Sequence, residues 1–213
     1  MTKAVMIEAR GTKKGTAQRQ AGKDTAAKLV RTAYELLLKG GYDDFSMRNI
    51  AERAGVRLAN LQYYYPKKEN LIRALNDYVG EMYDNRYEEC LANAGKSPIE
   101  RFTAAMELNF DDVNNLETRH FFIQLWPLLG MADNYSGKLL AEIYTYQHKQ
   151  VASLIMELCP EIDSKEANMR AEVISALIEG LMVTVVSVTK GEQAFDELKE
   201  VVMRNVLAIA KGQ

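Results

Sequence analysis

With 213 residues, 47% of them apolar and 26% charged, the chain can bury one good core or a small core beside a larger one. The net charge of −2 hides a split, because residues 1–73 carry 15 Lys and Arg against 7 Asp and Glu while residues 74–213 carry 12 against 22. Two cysteines far apart in sequence and two histidines leave no disulfide framework, metal site or cofactor to expect.

The start of the chain, "MTKAVMIEARGTKKGTAQRQ", is basic and polar, without the apolar run of a signal peptide, and no uncharged span of 18 residues occurs anywhere. The expectation is a cytoplasmic, nucleoid-associated protein with no membrane partner. Residues 1–23 are read as a basic arm, with Lys3, Arg10, Lys13, Lys14, Arg19 and Lys23 either lying along phosphates or forming a solubilising tail. Nearly everything after residue 24 reads as helix. Leu29, Ala33, Leu36 and Leu37 recur at helical spacing before a Gly40-Gly41 stop. Ser46 stands where it can cap a short helix with Ile50, Ala51 and Ala54 on its inner face, and "RLANLQYYY" makes a third helix before Pro66. A long amphipathic helix follows to about Cys90, with Leu71, Leu75 and Val79 on its apolar side. Then "SPIE" at Ser97–Glu100 is a capping box with proline at the first helical position. Pro127 is expected to kink or end the next helix. Further helices are expected from about 134 to Leu158, from about 164 to Thr189 after an Asp163 cap, and from about 193 to Ala210. The run "VISALIEGLMVTVVSV" is apolar on nearly every face apart from Glu179 and small polar residues, so it is buried deeply or shared with a partner.

With Gly55 as a turn residue, the small Ala51 falls four positions earlier and apolar Ile50, Ala54, Val56 and Leu61 flank it. Two short helices crossing closely at a tight turn need this set, and the basic first segment suits such a pair to DNA. The stretch "GGYDDFSMRNIAERAGVRLANLQYYYPKKENLI" resembles the DNA-binding segment of the TetR family of transcriptional repressors over about residues 25–75. That resemblance implies an all-α protein: three N-terminal helices at 24–66, then a larger helical ligand-binding and dimerisation domain at 67–213. It also implies a homodimer on a palindromic double-stranded operator, released by a small-molecule effector.

Residue by residue, the resemblance puts Arg57, Leu58, Ala59 and Asn60 at the exposed start of the recognition helix. There Arg57 is matched to guanine and Asn60 or Gln62 to adenine. Arg48 matches a base- or phosphate-reaching arginine, Tyr63 and Tyr64 match backbone or thymine-methyl contacts, and Tyr65 stands where the family has a buried phenylalanine. Lys68 matches a phosphate-holding lysine at the fourth helix, with Ser46 and Lys28 as further phosphate candidates. Three positions depart from the pattern. Ala59 replaces a glycine, Gln62 a tyrosine and Lys67 a Ser or Thr cap, so the DNA sequence read is expected to be this chain's own.

In the second domain, Phe102, Met106, Phe110, Phe122, Trp126, Tyr144 and His148 are the candidate lining of a cavity for a small apolar or aromatic effector, each with plain core packing as its alternative. The last two helices form the expected dimer surface through Ala171, Ile174, Ile178, Gly180, Leu181, Val202, Val206 and Ile209; a monomer burying them internally is the alternative. No phosphate-loop, nucleophile-elbow or zinc-protease motif occurs, so no enzyme and no catalytic residue is expected. The competing function is a helical small-molecule-binding or interaction protein without DNA-regulated function.

Overall fold

The computed structural model describes residues 13–134, 136–185 and 191–213, with side chains from residue 20 onward. Lys3 and Arg10 of the basic arm, the side chains of Lys13, Lys14 and Arg19, and the expected helix end at Thr189 lie outside the described residues. Those described form nine helices and no strand: α1 (Lys13–Gly40), α2 (Met47–Arg53), α3 (Leu58–Tyr64), α4 (Lys68–Asn93), α5 (Pro98–Asn114), α6 (Leu116–Ala132), α7 (Lys138–Leu158), α8 (Ser164–Thr184) and α9 (Glu192–Lys211).

Residues 13–23, expected as an arm, are instead the first turns of α1. The caps read from sequence are present. The Ser46 hydroxyl accepts from the Asn49 N–H (3.1 Å), Ser97 and Glu100 exchange bonds, and Asp163 accepts from the Glu166 N–H (2.8 Å). At α4, where Lys67 supplies no capping oxygen, the Asn70 side chain reaches back to accept the Lys67 N–H at 3.0 Å. Pro127 does not end its helix, since α6 continues through it to Ala132.

Two buried clusters organise the chain. The first joins α1–α3 to the N-terminal half of α4 and to Phe121, Leu125, Leu128 and Leu129 of α6. The second joins α5, α7, α8 and α9 around Phe102, Phe110, Ile155, Ile174 and Val206. Phe122 packs against both, so α6 is a shared wall. Among the described residues no helix is long and apolar enough to cross a membrane, and both cysteines are free thiols.

Candidate functional site

The α2–α3 pair is set by its turn. Gly55 takes φ +70, a left-handed conformation that glycine adopts without the strain a Cβ would add. That lets the Gly55 N–H bond the Glu52 carbonyl (3.0 Å) and the Val56 N–H bond the Ala51 carbonyl (2.9 Å), the paired closure of a helix C-terminus. From α1, the Lys28 ammonium donates to the Ala54 carbonyl at 2.7 Å, placing a cation at the negative end of α2. Leu61 is fully buried behind α3 and Tyr65 is half-buried, its hydroxyl donating to the Ala26 carbonyl at 3.3 Å. What remains outward is Arg48 with Arg57, Ala59, Asn60, Gln62 and Tyr63, the last 80% exposed.

A cavity of about 380 Å³ lies among α4, α5, α6, α7 and α8. Its aromatic wall includes Tyr83 and Tyr87 of α4, Phe122 and Trp126 of α6, and Tyr144 of α7. Trp126 Nε1 donates to the Tyr144 hydroxyl at 2.9 Å. Asp112, 5% exposed, accepts from the Tyr83 hydroxyl (2.8 Å) and lies 3.2 Å from the Arg86 guanidinium, binding α5 to α4. Burial and the Asp112 charge push the Tyr83 phenol far above its ordinary range.

A family model described as bacterial regulatory proteins, tetR family, matches residues 29–75. BetI from Escherichia coli, an HTH-type transcriptional regulator, is 22% identical over 154 residues, 72% of this chain and 77% of that one. KstR from Rhodococcus jostii, an HTH-type transcriptional repressor, is 32% identical over 81 residues, 38% of this chain and 37% of the repressor. The fold of a TetR transcription regulator from Haloarcula marismortui superposes with a TM-score of 0.70 at 16% identity, over 90% of this chain and 98% of the other. A Saccharomonospora viridis regulator solved with choline gives 0.68 at 19%, over 86% and 97%.

Residues 29–75 thus carry a TetR-family DNA-binding segment. Beyond that segment, the chain shares its fold with solved TetR-family regulators.

Against that family frame, several expected side chains sit differently. Leu58 and Tyr64 are half-buried against the first core, Tyr64 edge-on to Tyr63 at 5.1 Å, so α3 presents fewer of its residues outward than expected. The Lys28 and Ser46 polar atoms are already engaged in holding α2. Lys68 is half-buried with its ammonium 5.2 Å from the Phe45 ring and 5.4 Å from the Tyr42 ring, and burial lowers its pKa.

Of the effector candidates, Phe122, Trp126 and Tyr144 line the cavity but Phe102, Met106 and Phe110 do not. These three occupy the other face of α5, fully buried in the second core, with Phe110 stacked on Phe195 at 4.9 Å. His148 is also off the lining, 6.0 Å from the Tyr144 ring, its pKa lowered by burial. The cavity takes Leu108, Asn109 and Asp112 from α5 instead.

The dimer candidates need a similar correction. Ala171, Ile174, Ile178, Val202 and Val206 are buried inside this chain's own second core, while Leu181 and Ile209 are half-buried against it. Only Gly180 among the eight is exposed. The outward apolar stripe of α8 is Met169, Val173, Ala176, Gly180 and Val183, with Val201 on α9; Val173 is 53% and Val183 60% exposed. Positions spaced four and three apart share a helix face, so an all-round apolar helix carries two such stripes and burial distinguishes them.

Glu179 was legible as the lone carboxylate in an apolar run, yet its place was not. It lines the cavity beside the Tyr144 hydroxyl, and burial, with the Asp112 charge, pushes its pKa up to about 7. The folded state therefore holds an extra proton between the ordinary 4.5 and about 7, and stability falls as pH rises through that window. The cost is absent below the window and complete above it. Glu179→Gln is expected to remove the slope, adding about 2–3 kcal/mol near pH 8 and nothing near pH 4 in denaturant melts.

Proposed function

We propose that the protein is a cytoplasmic repressor that binds a palindromic operator as a homodimer and leaves it when a small molecule with an apolar or aromatic body fills the cavity. In this reading residues 24–66 form the DNA-binding unit and residues 67–213 the ligand-binding and dimerisation unit. Arg57, Asn60 and Gln62 read bases, Arg48, Tyr63 and Lys68 hold the backbone, and the α8 stripe meets its symmetry mate.

The observation that carries the proposal is that the cavity walls are also the supports of the helix-turn-helix. Helix α6 supplies Phe122 and Trp126 to the cavity, and from the same stretch the Gln124 side-chain carbonyl accepts the Tyr42 N–H in the connection between α1 and α2. Phe121, against Phe122 at 5.4 Å, also meets Tyr34 of α1 at 4.9 Å. Helix α4 lines the cavity with Tyr83 and Tyr87, while its first turns close the first core. A ligand that shifts α4 and α6 thus changes the spacing of two recognition helices, which fit successive major grooves at only one separation. The fold neighbour from Saccharomonospora viridis solved with choline supports a small-molecule effector.

A mobility-shift titration with DNA from its own upstream region tests the reading. Affinity is expected to fall steeply with salt and to prefer one sequence. Arg57→Ala is expected to cost about 1–3 kcal/mol per half-site and to relax preference at one base position. Binding insensitive to salt and sequence would sink the proposal.

A further inference from the structure

Building on the effector reading above, we infer that the cavity accepts an organic cation: a quaternary or protonated amine on an apolar or aromatic body, with Glu179 as its counter-charge and Tyr83, Phe122, Trp126 and Tyr144 around it.

The lining has one sign of charge. Asp77, Glu81, Asp84, Asp112, Glu142 and Glu179 contribute to it, and among the described residues no Lys, Arg or His does. The two deep carboxylates are not equivalent. Asp112 is satisfied by the Arg86 guanidinium and the Tyr83 hydroxyl. Glu179 has no cation within salt-bridge reach among the described residues, and its Oε2 is shielded from solvent without a hydrogen-bond partner. An apolar ligand would leave that oxygen unsatisfied, and an anion would meet carboxylates alone.

A cation supplies what is missing, and the surrounding rings offer their electron-rich faces to it. The neighbouring hydrogen bonds agree with this polarity. The Tyr144 hydroxyl accepts from Trp126 Nε1, which leaves its own proton for the Glu179 carboxyl and supports the ionised form. Burial first and the Asp112 charge second raise the Glu179 pKa, and a bound cation would oppose both.

Trp126 is the single tryptophan of the chain and stands in the wall, so its fluorescence reports occupancy directly. The probes are benzyltrimethylammonium and its uncharged carbon isostere, neopentylbenzene, titrated into wild type and Glu179→Gln. Wild type is expected to bind the cation about tenfold more tightly than the isostere. Glu179→Gln is expected to weaken the cation about tenfold or more and the isostere by less than about twofold. Equal loss for both probes, or tighter binding of the isostere by wild type, overturns the inference. Should Glu179→Gln fail to fold, the wild-type comparison decides alone. Release from DNA by the isostere as readily as by the cation would remove the charge preference and leave the effector cavity standing. If neither probe alters Trp126 emission or DNA binding, the inference and the effector reading fall together.

Discussion

Val173→Glu on the outward stripe of α8 is expected to split the proposed dimer and to take tight operator binding with it. Val173 is 53% exposed between Met169 and Ala176 on the same face, so the substitution creates no buried charge within one chain. In a two-fold interface the new carboxylate meets its own copy or apolar neighbours, and desolvating like charges costs several kcal/mol. A dimer dissociation constant weakened on the order of 100-fold or more follows. Sedimentation velocity across a concentration series measures it, and mobility shifts report the lost affinity. The adjacent Ile174→Ala makes the contrast. Ile174 is fully buried in the chain's own core, so its truncation is expected to cost about 2–5 kcal/mol of folding stability while leaving association between folded chains unchanged. A Val173→Glu protein that remains dimeric at the same concentration would remove the α8 stripe from the interface.

The second large effect concerns Asp112. This carboxylate is 5% exposed and joins Tyr83 and Arg86 of α4 to α5. Removing one partner of a buried pair strands the other, at a cost of about 3–5 kcal/mol. Arg86 keeps 39% of its side-chain surface in water and can rehydrate in part, which places Asp112→Ala near about 3 kcal/mol. Guanidinium melts check the value. Because the same pair fixes α4 where it walls the cavity, the variant is also expected to bind operator more weakly even under conditions where it is fully folded. A stability change below about 1 kcal/mol would mean that the pair behaves as an exposed surface contact.

The helix-turn-helix was readable in detail because its determinants are local. Gly55 must take a positive φ, Ala51 must be small at the crossing, and Ser46 must cap, all within a dozen residues. The same locality accounts for the caps at Ser97 and Asp163. Helix existence followed from period, but Pro127 did not stop α6, since packing on two cores outweighs one missing backbone bond. The cavity was half readable. Phe122, Trp126 and Tyr144 are aromatic and line it, while Phe102, Met106 and Phe110 are apolar in the same way and do not. Nothing in residue type or spacing separates these sets.

By itself, the amino-acid sequence determined the all-helical class, the turn that crosses α2 over α3, and the TetR-like character of the segment that holds them. Each rests on interactions within one or two turns of chain, where backbone geometry leaves few alternatives. Tertiary structure alone decided which of two apolar stripes on α8 is core and which is surface. It alone brought Glu179 to Tyr144 with no cation in salt-bridge reach among the described residues, and joined Gln124 of α6 to Tyr42 after α1. These depend on contacts between residues tens of positions apart, and side-chain chemistry is silent about such contacts until the helices have packed.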